Sequence, residues 1–482
     1  MARRATLTRE ALIALGTDKL ATLVLDEVGR NAPFKKIVTA ALAGAKGPEA
    51  VAAIIDRRLA SLERARGFVD WEKRKAFAAD LKATLATITD ELGSADPAAA
   101  VERIMRFLAS AEGVFDRVDD SSGHVQAIFH DAAASLPALA QHMSDDDKAG
   151  LFDRLLPLLL ADSYGLIETV FHETVPLLAA PQLNRVDAAL AASLQEIGSG
   201  GDDTRDWDRR FRRDRIIRAR QAIADCAGDV DAFISLEQKR STRSQDSMGV
   251  AERLLAAGRP SEALDWVRRP GRPGIRVMDM QDVADATAGA DLSDRDRVRL
   301  EIRILTALGE TDAAQELRWK TFEATLDHDM LRDYLAHLPD FGEFEALDRA
   351  FAHAAAHPQH YRSLAFFLAW PRLDLAAKLV VEHRATWDGR HYGALVPAAE
   401  TLEHDHPAAA TVLYRALIDD ILARARSPAY GHAARYLAKL DTLSVGDIGA
   451  SWGLSDHQTY RATLRRAHGR KSGFWNLVGD AD

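Results

Sequence analysis

Cysteine is almost absent from this chain of 482 residues: Cys226 stands alone. A disulfide needs a pair, and a four-cysteine zinc ribbon or a cysteine-ligated iron–sulfur cluster needs more, so none of these can be built. Long apolar runs are missing as well. The most hydrophobic stretch, residues 155–161, falls far short of the roughly 18 uninterrupted apolar residues of a membrane span. No apolar run follows Arg3 and Arg4, so the N-terminus does not read as a signal peptide, and a single cysteine fits a reducing cytoplasm. Alternating runs of Val, Ile, Thr or aromatic residues between hairpin turns are lacking too, which removes the signature of a sheet. A net charge of −10 opposes non-specific binding of nucleic acid by the molecule as a whole.

What is present points to helix. Hydrophobic residues make up 47% of the chain, enough for a buried core, and 86 residues are Ala, which loses no rotamer freedom in a helix. Ala50, Ile54, Ile55, Arg58, Leu59 and Leu62 recur at three- and four-residue steps, the spacing of one helix face. Pro48 and Pro97 stand where a first helical residue belongs, and Asp96 precedes the second as an N-cap. Ser144 with Asp147, Ser293 with Asp296 and Ser455 with Gln458 have capping-box spacing. The expected fold class is all-α.

In the second half, Leu254–Trp266 is similar to Leu305–Leu317: a helix ends at Gly258 or Gly309, another starts shortly after, and a small Ala follows. Looser copies begin at Leu373 after Pro371, and at Pro407 after His406. Such helical hairpins cannot bury their apolar faces alone and must stack. The best copies lie 51 residues apart, against a tetratricopeptide period of about 34. The expectation is an irregular α-solenoid of tetratricopeptide-like hairpins. Its parts are an N-terminal helical domain at 1–197, a glycine-rich linker at 198–204, and a repeat domain at 205–482 closed by a C-terminal capping helix. The Pro- and Gly-rich stretch 269–274 is expected to be an ordered loop between helix pairs, with a mobile tether as the alternative.

Residues 205–220 hold eight Arg against three Asp, with Trp207 and Phe211 one turn apart. Arg209, Arg212 and Arg213 could track a phosphate backbone, aided by Arg465, Arg466 and Lys471 near the C-terminus. In the plainer reading, the first segment is a solvated helix with i,i+4 ion pairs whose Trp207, Phe211, Ile216 and Ile223 face the core. The tail is then a cap that docks Phe474 and Trp475. His353, His357 and His360 share helical spacing, but Pro358 interrupts them, and no His-Glu-x-x-His, phosphate-loop or nucleophile-elbow motif occurs. Asp145–Asp147 fits a helix N-terminus better than an acid/base pair. Neither a metal, a cofactor nor a catalytic residue is expected.

Two segments escape helical periodicity: Arg66–Lys75 and Phe115–Gly123, each mixing aromatic residues, charges and a Gly. Trp71 and Phe115 either anchor helix packing or border a binding groove. The order of elements resembles a bacterial family of all-helical repeat proteins described only as a domain of unknown function. The resemblance is carried by Leu12–Gly16, Phe68–Lys75, Phe115–Gly123, Tyr460–Leu464 and His468–Lys471, and it implies no reaction. The C-terminal half is also similar to the helical repeats that follow SWIM zinc fingers. The finger itself needs cysteines that this chain lacks. The resulting expectation is a non-enzymatic cytoplasmic scaffold that binds a protein or peptide through Phe68, Trp71, Lys73, Arg74, Asp119 and Asp120. Nucleic-acid binding is the alternative, and no membrane contact is expected.

Overall fold

The computed structural model describes residues 8–162, 165–198, 207–269, 276–278, 280–284, 290–443 and 453–479, with backbone only at 207–208, 276–277, 281 and 290–293. Twenty-seven α-helices run through the described residues. The extended pairings described are a two-residue antiparallel ladder, Arg276–Val277 with Ala290–Asp291, and an isolated parallel bridge between Val69 and Val118. The fold is all-α, as expected. None of the described helices is long and apolar enough to cross a membrane.

The chain forms two compact units, Met1–Gln245 and Asp246–Asp482. This boundary lies well past the glycine-rich run, of which residues 199–204 fall outside the described residues. The helix Trp207–Ala227 therefore belongs with the first unit, and the reason is its inward face. Ile216, Ala219 and Ile223 are buried in the same core as Leu155, Phe171 and Leu190. The 269–274 loop also falls outside the described residues beyond Arg269.

In the first unit the start signals act as the sequence predicts. Asp96 accepts a hydrogen bond from the Ala99 amide at 2.9 Å ahead of the helix Pro97–Ala109. Ser144 accepts one from the Asp147 amide at 3.2 Å, and three acidic residues sit in the first turn of Asp145–Ala161, where they complement the helix dipole. The helix Trp71–Ala86 widens into a π turn, Thr87–Leu92, closed by the Gly93 amide on the Ile88 carbonyl at 2.9 Å. At the centre of the core, Phe107 and Phe129 are fully buried and stacked 4.6 Å apart.

The second unit is built of consecutive helical hairpins. Ser247–Ala256 turns into Pro260–Val267 through Gly258 at φ +73°, and Leu292–Leu308 turns into Thr311–Thr325 through Gly309 at φ +77°. Both glycines occupy the left-handed region that a side chain disfavours. The small residues after the turns, Ala263 and Ala314, are buried, as are Ala376 and Ala410 in the later copies. The C-terminal helix Ser472–Val478 docks as a cap, with Phe474 fully buried, Trp475 4% exposed, and the Trp475 indole donating to the His468 carbonyl at 3.0 Å.

Two capping boxes differ from expectation. The N-cap of His457–His468 is Asp456, which accepts from the Thr459 amide at 2.8 Å, while Ser455 instead receives Arg415. Ser293 lies inside the helix that begins at Leu292, so it is not the N-cap.

Candidate functional site

The two aperiodic segments of the first unit meet. The Val69 amide donates to the Arg117 carbonyl at 2.8 Å and the Asp119 amide to the Val69 carbonyl at 3.1 Å, forming the Val69–Val118 bridge. Neighbouring residues on extended backbone point to opposite sides. Val69 is half-buried, whereas Phe68 is 67% exposed and Trp71, the first residue of the next helix, is 64% exposed. Asp70 caps that helix, accepting from the Lys73 amide at 3.0 Å and pairing with the Lys73 ammonium at 3.2 Å. These contacts with Lys73 hold the Asp70 carboxyl below its usual range. Arg74 reaches back to the Asp119 carbonyl at 3.4 Å. The result is a pinned ledge with two large aromatic rings in solvent, Lys73 held by Asp70 and Arg74 by the Asp119 carbonyl.

The six predicted residues divide by role. Phe68, Trp71, Lys73, Arg74 and Asp119 do come together on the ledge. Asp120 serves the fold instead. It accepts the amides of Val125 and Gln126 at 2.9 and 2.8 Å and so caps His124–Ala140, whose own N-cap, Gly123, offers no side chain. Asp119 likewise uses its carboxylate on the Ser121 amide at 3.3 Å. Packing explains Phe115, which sets its ring edge on Phe129 at 5.1 Å, but it does not explain Trp71.

A cavity of about 450 Å³, not predicted from the sequence, lies on the side of the bridge to which Val69 points. Lys36, Arg57, Arg58, Asp80 and Arg117 line it together with apolar side chains that include Ile54 and Phe77. The signal was Arg58, a cation standing on the apolar stripe of its helix.

The basic segments are largely occupied within the chain. Arg215 donates to the Leu159 and Leu160 carbonyls at 3.0 and 3.2 Å, Arg218 pairs with Glu168, and Arg220 makes a two-pronged pair with Asp187 at 2.7 and 2.9 Å. These partners come from other helices, not from i,i+4 neighbours. Ile216 and Ile223 face the core, but Phe211 is 56% exposed, and the side chain of Trp207 lies outside the described residues. Arg209 and Arg212 are exposed and Arg213 half-buried. In the tail, Arg465 lies over the Trp475 ring at 4.7 Å and Lys471 donates to the Leu422 carbonyl, while Arg466 is exposed.

Pro358 falls between Gly342–Ala356 and His360–Ala369, so His353, His357 and His360 do not share a helix. No group of three or more His, Cys, Asp or Glu able to hold a metal occurs among the described residues.

Stacked helical hairpins with an aromatic and cationic ledge define the chain as an all-α helical-repeat protein. It belongs to the family of unknown function DUF6880, whose model matches residues 2–477 and so spans every motif on which the resemblance rests. No curated protein and no solved structure matches the chain. The similarity to repeats that follow SWIM zinc fingers is not carried by that family match.

Proposed function

We propose that this protein is a binding scaffold that seats a segment of a partner protein on the Phe68–Trp71 ledge, without catalysing a reaction. One observation carries the reading: two large aromatic rings stand about two-thirds in solvent on backbone held by the Val69–Val118 bridge and the Asp70 cap. Their burial by a partner would remove apolar surface from water at little entropic cost, because the backbone is already ordered. Lys73 is already paired with Asp70, whereas Arg74 meets, among the described residues, only the neutral Asp119 carbonyl, and its charge favours a partner segment that carries an apolar anchor beside an acidic residue. The cytoplasm is the compartment proposed for this exchange, on the single cysteine.

Nucleic-acid binding has weaker support, since Arg215, Arg218, Arg220 and Lys471 are engaged within the chain. The test compares partner capture by the wild-type chain and by a Trp71→Ala/Arg74→Glu variant from the native host. The expected result is selective loss of a protein partner with unchanged helical circular dichroism. Unchanged capture would remove the ledge as the site, and capture of nucleic acid alone would favour the basic segments.

A further inference from the structure

The cavity beside Val69 combines an apolar lining with an unbalanced charge. Ile54, Leu62, Val69 and Phe77, all half-buried, contribute the apolar lining. Four cations, Lys36, Arg57, Arg58 and Arg117, share the cavity with one carboxylate, Asp80, and Lys36 already pairs with it.

Among the described residues, these guanidinium groups donate to neutral acceptors. Arg58 donates to the Thr87 hydroxyl at 3.0 Å and to the Lys36 carbonyl at 2.9 Å. Arg117 donates to the Gly67 carbonyl at 3.4 Å and lies 5.2 Å from the centre of the Phe77 ring. Arg57 donates to the Ala53 carbonyl at 3.2 Å. Burial lowers the pKa of Arg58, against a smaller opposing pull from Asp80. It also lowers that of Arg117, aided by the nearby charge of Arg66. For Arg58, half-buried and hydrogen-bonded to neutral acceptors, the shift accords with a cation partly withdrawn from water.

We infer that this cavity is a binding site for a small amphipathic anion, with a carboxylate or phosphate head on an apolar body. The head supplies the counter-charge missing among Arg57, Arg58 and Arg117, where a planar guanidinium can donate two parallel hydrogen bonds to it. The body covers Ile54, Leu62, Val69 and Phe77. At about 450 Å³ the cavity falls within the range of small-molecule sites, about 300–1,000 Å³. Phe68 and Trp71 do not line it, so cavity and ledge use different side chains.

Isothermal titration of the full chain tests the site with four probes of equal chain length, each below its micelle threshold: decanoate, decyl phosphate, decanol and decyltrimethylammonium. Decanoate or decyl phosphate should bind at least about tenfold more tightly than decanol, and the cation should not bind measurably. The preferred anion identifies the head group. Arg57→Gln/Arg117→Gln should weaken that anion by about tenfold or more with helical content unchanged. Leu62→Trp, which fills the cavity while leaving the cations in place, should also weaken it, and Trp71→Ala should not. Equal affinity for decanol and both anions, no binding of either anion, or full affinity in the well-folded double variant would each overturn the inference. Trp71→Ala separates its failure from failure of the partner-binding reading, because that change touches only the ledge.

Discussion

Phe68 and Phe129 belong to the same compact unit and differ only in surroundings, so truncating each to Ala asks whether the ledge holds the fold. Phe129 is fully buried and stacks on Phe107 at 4.6 Å. Roughly 180 Å² of aromatic surface at roughly 25 cal/mol per Å² corresponds to about 4.5 kcal/mol, and the ring pair brings the loss towards 5 kcal/mol, the upper end for Phe→Ala. Phe68 is 67% exposed. Only roughly 60 Å² of its ring is covered, an upper bound of about 1.5 kcal/mol. Urea denaturation followed by far-ultraviolet circular dichroism measures both. Phe129→Ala should lower the midpoint of the first unit's transition severely, and Phe68→Ala should move it by a third as much or less. Comparable losses would mean that the Phe68 ring is a packing element, and the case for a ledge built to bind would fall.

Other consequences follow from single contacts. Gly258→Ala meets open space but must hold φ near +73°, so it should cost about 1–2 kcal/mol by urea denaturation. Gly389→Ala should cost more, because its Cβ would lie 2.3 Å from the Ala416 carbonyl oxygen. Arg218→Ala leaves the mostly buried Glu168 with only His172, 3.9 Å away, and should cost about 2 kcal/mol, with partial recovery in the Arg218→Ala/Glu168→Gln double variant. Burial lowers the His172 pKa, partly opposed by Glu168, so the folded state favours the neutral ring. The stability from this preference is complete above the ordinary value of 6.5 and is lost as pH falls through the lowered one. His172→Phe should therefore lessen the drop in melting temperature between neutral and mildly acidic pH, and an unchanged drop would refute this.

Local punctuation was the legible part of the sequence. Pro48, Pro97, Asp96 and Ser144 start helices where their chemistry predicts, and Gly258 and Gly309 end them. These signals act over a few residues, so one stretch of chain suffices to see them. The ledge was partly visible for the same reason: Phe68, Trp71 and the Asp70 cap lie within one short segment. What stayed hidden depends on distant partners. Asp120 looked like a site residue, yet it caps a helix that begins four residues later. The Arg-rich helix left a phosphate-binding reading open beside the structural one because its partners, Glu168 and Asp187, lie on other helices. The glycine-rich run looked like a domain boundary, but the apolar face after it, through Ile216 and Ala219, joins the first core. The cavity gathers residues from Lys36 to Arg117 and left one local trace, Arg58 on an apolar stripe.

The most direct test of the central claim is site-specific crosslinking in the native host, with a photoreactive phenylalanine replacing Trp71 in one chain and Leu477 in another. The two positions are similarly exposed, 64% and 59%. A scaffold that uses the ledge predicts a discrete protein adduct at position 71, absent at 477 and suppressed there by Arg74→Glu. Equal adducts at both positions, or none at 71 while the protein still co-purifies with its partner, would contradict it.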